Sequence, residues 1–277
     1  MSEIVEGLWR KSEHPELVNA TIISRVFNRH RVDVYVPEDV DSETPVLVMH
    51  DGKNLFWPEF STMGETWGVI PTVQALAKRP VVIGVWIMDK SAVPMIRLFE
   101  LAPQKVIEND PSIWTDMLSA ANAGEHVPVG DEYHRLVSQE IIPAVADELG
   151  IVIHRDRTAL AGSSMGGLTS LYGVALYPEL YGAALSLSTH WAYWDRKIVS
   201  VLLSLLSTEP RPRIWIDRGT QELDAMYEGL HEDAADYLRE HGWIEGHDLQ
   251  ARVYVGTNHS EPVWRIRFPE ILNWWLS

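Results

Sequence analysis

Between residues 45 and 255 the chain repeats one pattern, a short apolar run followed by a stretch with helical spacing. Pro45-Val-Leu-Val-Met-His50 is a continuous apolar run that stops at Asp51-Gly52, and Val81–Met88 is a second. Arg157–Ala161, Ala183–Leu187, Pro212–Asp217 and Leu249–Val255 continue the series. Short unbroken apolar runs bounded by turn residues predict strands buried on both faces. Helices are predicted between them over Glu65–Lys78, Asp131–Leu149, Met165–Tyr177, Ile198–Leu206, Ala225–His241 and Val263–Leu276. Alternation of this kind implies a mostly parallel central sheet with helices on both faces. Ahead of it, Thr21–Phe27 and Val32–Val36 alternate and are β-branched, which predicts an antiparallel pair at one N-terminal edge. Pro143 falls inside the Asp131–Leu149 pattern and is expected to kink or break it. Residues 89–130 have no clear period and carry Pro94, Pro103, Pro111 and Pro128. They read as a partly irregular insertion or cap on a single domain spanning 1–277.

Charge and composition narrow the function. The chain has 23 Lys+Arg against 39 Asp+Glu, a formal net charge of -16. Nucleic acid and anionic membrane surfaces are therefore poor partners, because both need clustered cations. Cysteine is absent, which excludes disulfides, thiolate nucleophiles and Cys-type metal sites. The first residues hold no basic segment followed by an apolar stretch, and no apolar run approaches the ~20 residues that span a bilayer. Cytoplasmic residence is the expectation. No H-E-x-x-H, G-x-G-x-x-G or P-loop is present, so no metal and no cofactor is expected.

The chemistry-bearing string is Gly162-Ser163-Ser164-Met165-Gly166, a G-x-S-x-G that a strand enters and a helix leaves. A serine on so tight a turn needs strained backbone angles, and glycines two residues either side avoid collision. The turn lifts the Ser164 hydroxyl clear of the sheet. It also puts the Met165 N–H at a helix N-terminus, where it can hold a developing oxyanion. Such a nucleophile takes its acid and then its histidine from later in the chain. Of the later histidines, His259 lies in the loop just after the last strand, where the base has to be. Asp217, Glu222 and Asp224 follow the strand that ends near Ile216. Asp217 is close to the sheet, and position alone does not separate Glu222 from Asp224, which also suits the N-cap of the next helix. A Ser–His dyad is the further alternative. The second oxyanion donor should come from His50-Asp-Gly-Lys-Asn54, with Gly52 or Lys53 giving an N–H if Gly52 permits an unusual turn. A plain tight turn is the rival reading there.

These residues resemble the putative esterase family of α/β hydrolases, which includes enterobactin-type siderophore esterases, feruloyl esterases, esterase D-like enzymes and mycolyltransferases. The likeness runs from about Val32 to the end. It rests on Met49–Phe56, Arg97–Pro103, Gly162–Gly167, Asp217–Tyr227 and His259–Trp264. The resemblance implies the α/β-hydrolase fold, Ser164 as nucleophile and His259 as base. The family's frequent G-T-x-x-L-D loop favours Asp224 as the acid, while its feruloyl esterases would favour Glu222.

Twelve tryptophans are many for this length. Trp57 after the oxyanion loop, and Trp191 beside His190 after the strand that follows the nucleophile helix, are candidate substrate contacts, with core packing as the alternative. Arg97 is a candidate for a substrate carboxylate or for a pair with Glu100. The expected function is a serine carboxylesterase acting on a small-molecule ester through an acyl-enzyme. An acyltransferase with the same triad and a non-catalytic binding protein on the same scaffold are the alternatives.

Overall fold

The computed structural model describes residues 7–88, 95–113, 127–192 and 194–277. Nine strands form one sheet: β1 Arg10–Ser12, β2 Ala20–Phe27, β3 His30–Pro37, β4 Val46–His50, β5 Val81–Val85, β6 Thr158–Ser163, β7 Ala183–Leu187, β8 Arg213–Gly219 and β9 Leu249–Tyr254. Their order is β1-β2-β3-β5-β4-β6-β7-β8-β9. The β1–β2, β2–β3 and β3–β5 pairs are antiparallel, and every later pair is parallel. This is the α/β-hydrolase arrangement with an antiparallel N-terminal edge. Successive side chains alternate between two cores. Val46, Val48 and Leu160 join the helices Gly130–Leu136, Ile142–Leu149 and Met165–Leu176 on one face. Leu47, Met49 and Ala161 join the helices Val69–Gln74 and Glu261–Leu276 on the other. Parallel register sets Met49 level with both Gly84 and Ala161, so the turns leaving β4 and β6 lie side by side at the carboxyl edge.

Several boundaries differ from the sequence expectation. The Glu65–Lys78 helix shortens to Val69–Gln74, because Gly68 takes a left-handed φ of 62° and the Trp67 N–H is drawn back to the Asn54 carbonyl at 3.1 Å. Pro143 does not break its helix. Val137–Ile141 adopts the wider π geometry directly before Ile142–Leu149. That geometry accommodates a residue with no N–H to give and a ring that would strike the Gln139 carbonyl. The helix expected over Ala225–His241 starts at Leu230, and Glu222–Tyr227 forms a separate tight 3-10 segment. Asp224 is therefore inside a turn and caps no helix. Of the 89–130 stretch, residues 89–94 and 114–126 lie outside the described residues. The remainder holds the short helices Ile96–Glu100 and Gln104–Asn109. No helix among the described residues is long and apolar enough to cross a membrane.

Candidate active site

The strand β6 runs without interruption into Ser164, whose φ of 59° and ψ of -126° are unusual for a residue with a side chain. Such strain costs ~1–3 kcal/mol and persists only where surroundings enforce it. Here the main chain enforces it. The Ser164 N–H donates to the Leu187 carbonyl at 3.0 Å, and the Ser164 carbonyl accepts from the His190 N–H at 3.2 Å and from Leu168 at 3.1 Å. Gly162 is needed because a Cβ there would stand 2.7 Å from the carbonyl carbon of Gly166. Gly166 is less constrained than its place in the motif suggests: a Cβ would meet only Asp51 and His50, both at 3.4 Å. Met165, 4% exposed, opens the helix that follows, so its N–H is among the donors such a terminus leaves without an intrahelical partner.

Two turns away, the His259 ring and the Asp224 carboxylate meet. His259 Nδ1 lies 2.6 Å from Asp224 Oδ1. Asp224 Oδ2 accepts from Ser188 Oγ at 2.8 Å and from the Gly219 N–H at 2.6 Å. Burial pushes the Asp224 carboxyl up, but His259, Ser188 and Gly219 outweigh it and hold it below the usual carboxylate range. Glu222 is exposed and takes a left-handed φ of 54°. Asp217 belongs to the sheet end: it accepts from the Ser188 N–H at 2.9 Å, from Trp215 at 2.9 Å and from Arg267 at 2.8 Å. Tyr227 and Trp264 flank the His259 ring edge-on, at 5.9 Å and 4.9 Å between centroids. The Ser164 hydroxyl makes no side-chain hydrogen bond among the described residues, so the Ser164–His259 contact is not made in this state.

The loop after β4 departs from expectation in one respect. The left-handed residue is Asp51, with φ 55°, and not Gly52. Gly52 is required for space: a Cβ there would lie 2.6 Å from the Gly84 carbonyl carbon and 2.7 Å from Trp86. Gly52–Asn54 then coil into one 3-10 turn carrying Gly52 and Lys53. Arg97 clamps this loop. Its Nε and Nη2 donate to Asp51 Oδ1 and Oδ2, both at 2.7 Å. Burial would raise the Asp51 carboxyl, but Arg97 brings it below its ordinary value. Arg97 thus pairs with Asp51, while Glu100 pairs with His30 at 2.9 Å, which corrects the expected Arg97–Glu100 pair. Beside the clamp a cavity of about 390 Å³ is lined by Arg29, Arg31, Lys53, Arg97, Trp86 and Met88, among others.

The other expected contacts divide. His190 adjoins the site. Its main chain holds Ser164, its Nδ1 lies 2.8 Å from the Tyr227 hydroxyl, and burial pushes its pKa down to about 3, so the ring is neutral. Trp57 is built into the core, with its indole N–H given to Asp33 at 3.1 Å and His14 packed on its ring. Trp191 is fully buried in the core on the helix side. Among the described residues neither tryptophan makes a side-chain hydrogen bond or ring contact with Ser164, His190 or His259. No group of three or more His, Asp or Glu that could hold a metal occurs among the described residues. Arg267 and Ser188 were not anticipated. Arg267 could have been noticed, since it is a cation inside the apolar stripe Trp264, Phe268, Ile271 and Trp275 of the last helix.

Residues 24–275 match the model of the Putative esterase family. Iron(III) enterobactin esterase of Escherichia coli O6:H1 is 26% identical over 190 residues, which is 67% of this chain and 39% of that protein. The chain thus spans about two fifths of the curated relatives it matches. Among solved structures, enterochelin esterase from Shigella flexneri superimposes with a TM-score of 0.63 at 21% identity, covering 96% of this chain and 60% of that one. The enterobactin and salmochelin hydrolase IroE gives a TM-score of 0.65 at 18% identity, covering 94% and 97% respectively.

Proposed function

Since the chain belongs to the Putative esterase family, we propose that it is a serine carboxylesterase whose nucleophile, base and acid are Ser164, His259 and Asp224. The observation that carries this reading is the 2.6 Å His259–Asp224 bond, made by the turns after β8 and β9 at the same edge of the sheet as a serine held at a left-handed φ after β6. Asp224 fixes His259 with Nδ1 protonated, leaving Nε2 to take the proton from Ser164 Oγ as that oxygen attacks the ester carbonyl. The contact closes when substrate binds, since resting hydrolases commonly hold it long. The Met165 N–H and an N–H from Gly52 or Lys53 receive the negative charge that develops on the carbonyl oxygen. Collapse expels the alcohol, which takes the proton from His259, and leaves the acyl group on Ser164. Water then repeats the sequence, with His259 again taking a proton, and releases the acid.

The substrate proposed is a small-molecule ester, as for the enterobactin esterases similar to this chain. His190 supplies a neutral hydrogen-bonding ring beside the reacting centre. Hydrolysis of 4-nitrophenyl acetate tests the assignment. Ser164→Ala should lose at least about 1,000-fold in kcat and Asp224→Asn on the order of 100-fold or more. Glu222→Gln, on an exposed side chain, should stay within about twofold. Equal rates for wild type and Ser164→Ala would end the proposal.

A further inference from the structure

A second layer of charge stands behind the His259–Asp224 pair. Arg267 is 3% exposed, and Asp217 and Asp224 are fully buried. Arg267 Nη1 donates to Asp217 Oδ1 at 2.8 Å and to Ser188 Oγ at 3.2 Å. Its Nη2 donates to Thr257 Oγ1 and lies 4.0 Å from Asp224 Oδ2. Ser188, itself at a φ of 42°, is the joint between the two carboxylates: its N–H goes to Asp217 and its hydroxyl to Asp224. Trp264 Nε1 donates to the same hydroxyl at 2.9 Å, and the Tyr254 ring packs 4.4 Å from the guanidinium.

Two carboxylates and one guanidinium leave a single negative charge uncompensated. Protonation of His259 would neutralise the cluster. The remaining groups that face it change this little. His190 and Tyr227 are uncharged, Asp51 pairs with Arg97, Glu261 at the start of the last helix faces His259 and Lys53, Glu270 reaches the cluster through Tyr254, and burial with Asp224 raises the Asp217 carboxyl, so the count applies above that raised range.

We propose that Arg267 is a positioning residue for the catalytic pair: through Ser188 it holds Asp217 and Asp224 in one rigid cluster and limits their combined pull on His259 to one net charge. The proposal rests on the reading of Ser164, Asp224 and His259 as the reacting group. A general base must be unprotonated to act, so kcat/KM rises with pH along its acid limb. Charge balance then orders the variants. Arg267→Gln strengthens the negative field and should move that limb up by about one pH unit or more, and Asp217→Asn removes a carboxylate and should move it down by a similar amount. The double variant restores the wild-type charge and should return the limb to within a few tenths of a unit, while Arg267→Lys should leave it near wild type.

The test is the pH profile of 4-nitrophenyl acetate hydrolysis for these proteins, with diisopropyl fluorophosphate labelling of Ser164 run on each. Limbs that stay in place in Asp217→Asn, or that move the same way in both single variants, overturn the proposal and leave Arg267 a packing residue. If Arg267→Gln does not fold, Asp217→Asn and the double variant still decide the matter. Failure of the underlying triad reads differently: wild type would escape labelling, or Ser164→Ala would keep its rate.

Discussion

The turns that leave β4 and β6 are neighbours and share a device, yet they are held by different forces. Each places a non-glycine residue at a left-handed φ directly after a parallel strand, Asp51 at 55° and Ser164 at 59°. At Ser164 the main chain does the holding, through the hydrogen bonds to Leu187 and from His190 and through Gly162 lying against Gly166. At Asp51 a side chain does it, through the two-pronged clamp of Arg97. A turn fixed by its backbone leaves its side chain free to react. A turn fixed by its side chain relies less on its own N–H groups, although the Asn54 N–H still closes it onto the Asp51 carbonyl at 2.9 Å. The two turns thus divide the work that the proposed reaction needs, and they should fail under different perturbations.

The largest effect should come from the glycines, where both turns depend on space. Gly52→Ala and Gly162→Ala each drive a Cβ to within 2.6–2.7 Å of backbone atoms, and each should cost about 3 kcal/mol or more in denaturant unfolding. Gly166→Ala, with 3.4 Å of room, should cost under about 1 kcal/mol. Equal losses at all three would mean that the turns are not held by these approaches.

Acid comes next and reaches the Asp51 turn through His50. Burial lowers the His50 pKa to about 4, so between about pH 6.5 and 4 the unfolded chain binds a proton there that the folded chain refuses. That is roughly 3 kcal/mol of stability lost by pH 4. Asp51 behaves in the opposite sense: its carboxyl is depressed, so the clamp contributes above the ordinary aspartate range and is lost only as pH falls through its lower folded value. Melting curves should therefore decline first from the buried histidines, since burial also lowers His190 and His231, and His50→Asn should remove only its own roughly 3 kcal/mol share of the decline between pH 6.5 and 4.

The smallest effect separates clamp from substrate contact. If Arg97 holds the loop, Arg97→Met should lower kcat by about 10- to 100-fold with KM little changed, for neutral and carboxylate-bearing esters alike. A rise in KM confined to carboxylate-bearing esters would instead make Arg97 a substrate ligand.

Much of the fold could be read along the chain because it repeats short-range patterns. Apolar runs of five or so residues, separated by helical spacing, leave few alternatives to a covered parallel sheet, and the strand cores fell where the runs lie. The three-residue β1 had no such pattern to announce it. Pro143 does not break its helix because a π turn, formed by its neighbours, absorbs the missing N–H. The candidate site was legible where its residues are local. Gly162–Gly166 is a single turn whose glycine-serine-glycine spacing shows within five residues, although Leu187 and His190 are what hold it. It was not legible where partners are distant: Arg97 is 46 residues from Asp51, and Arg267 is 50 from Asp217.

The sequence by itself determined the alternation of elements, the strand-turn-helix around Ser164 and the set of acids and histidines available after it, because each follows from torsional preference or periodicity over a few residues. Only the tertiary structure decided which of those groups meet. It gave Arg97 to Asp51 and left Glu222 in water, and it joined Asp224 to His259, Ser188 and, through Ser188, Arg267. Buried charges pair with whatever opposite charge and hydrogen-bond donors the packed sheet brings within about 4 Å, and that proximity is set by strand order and helix packing, which no local pattern encodes.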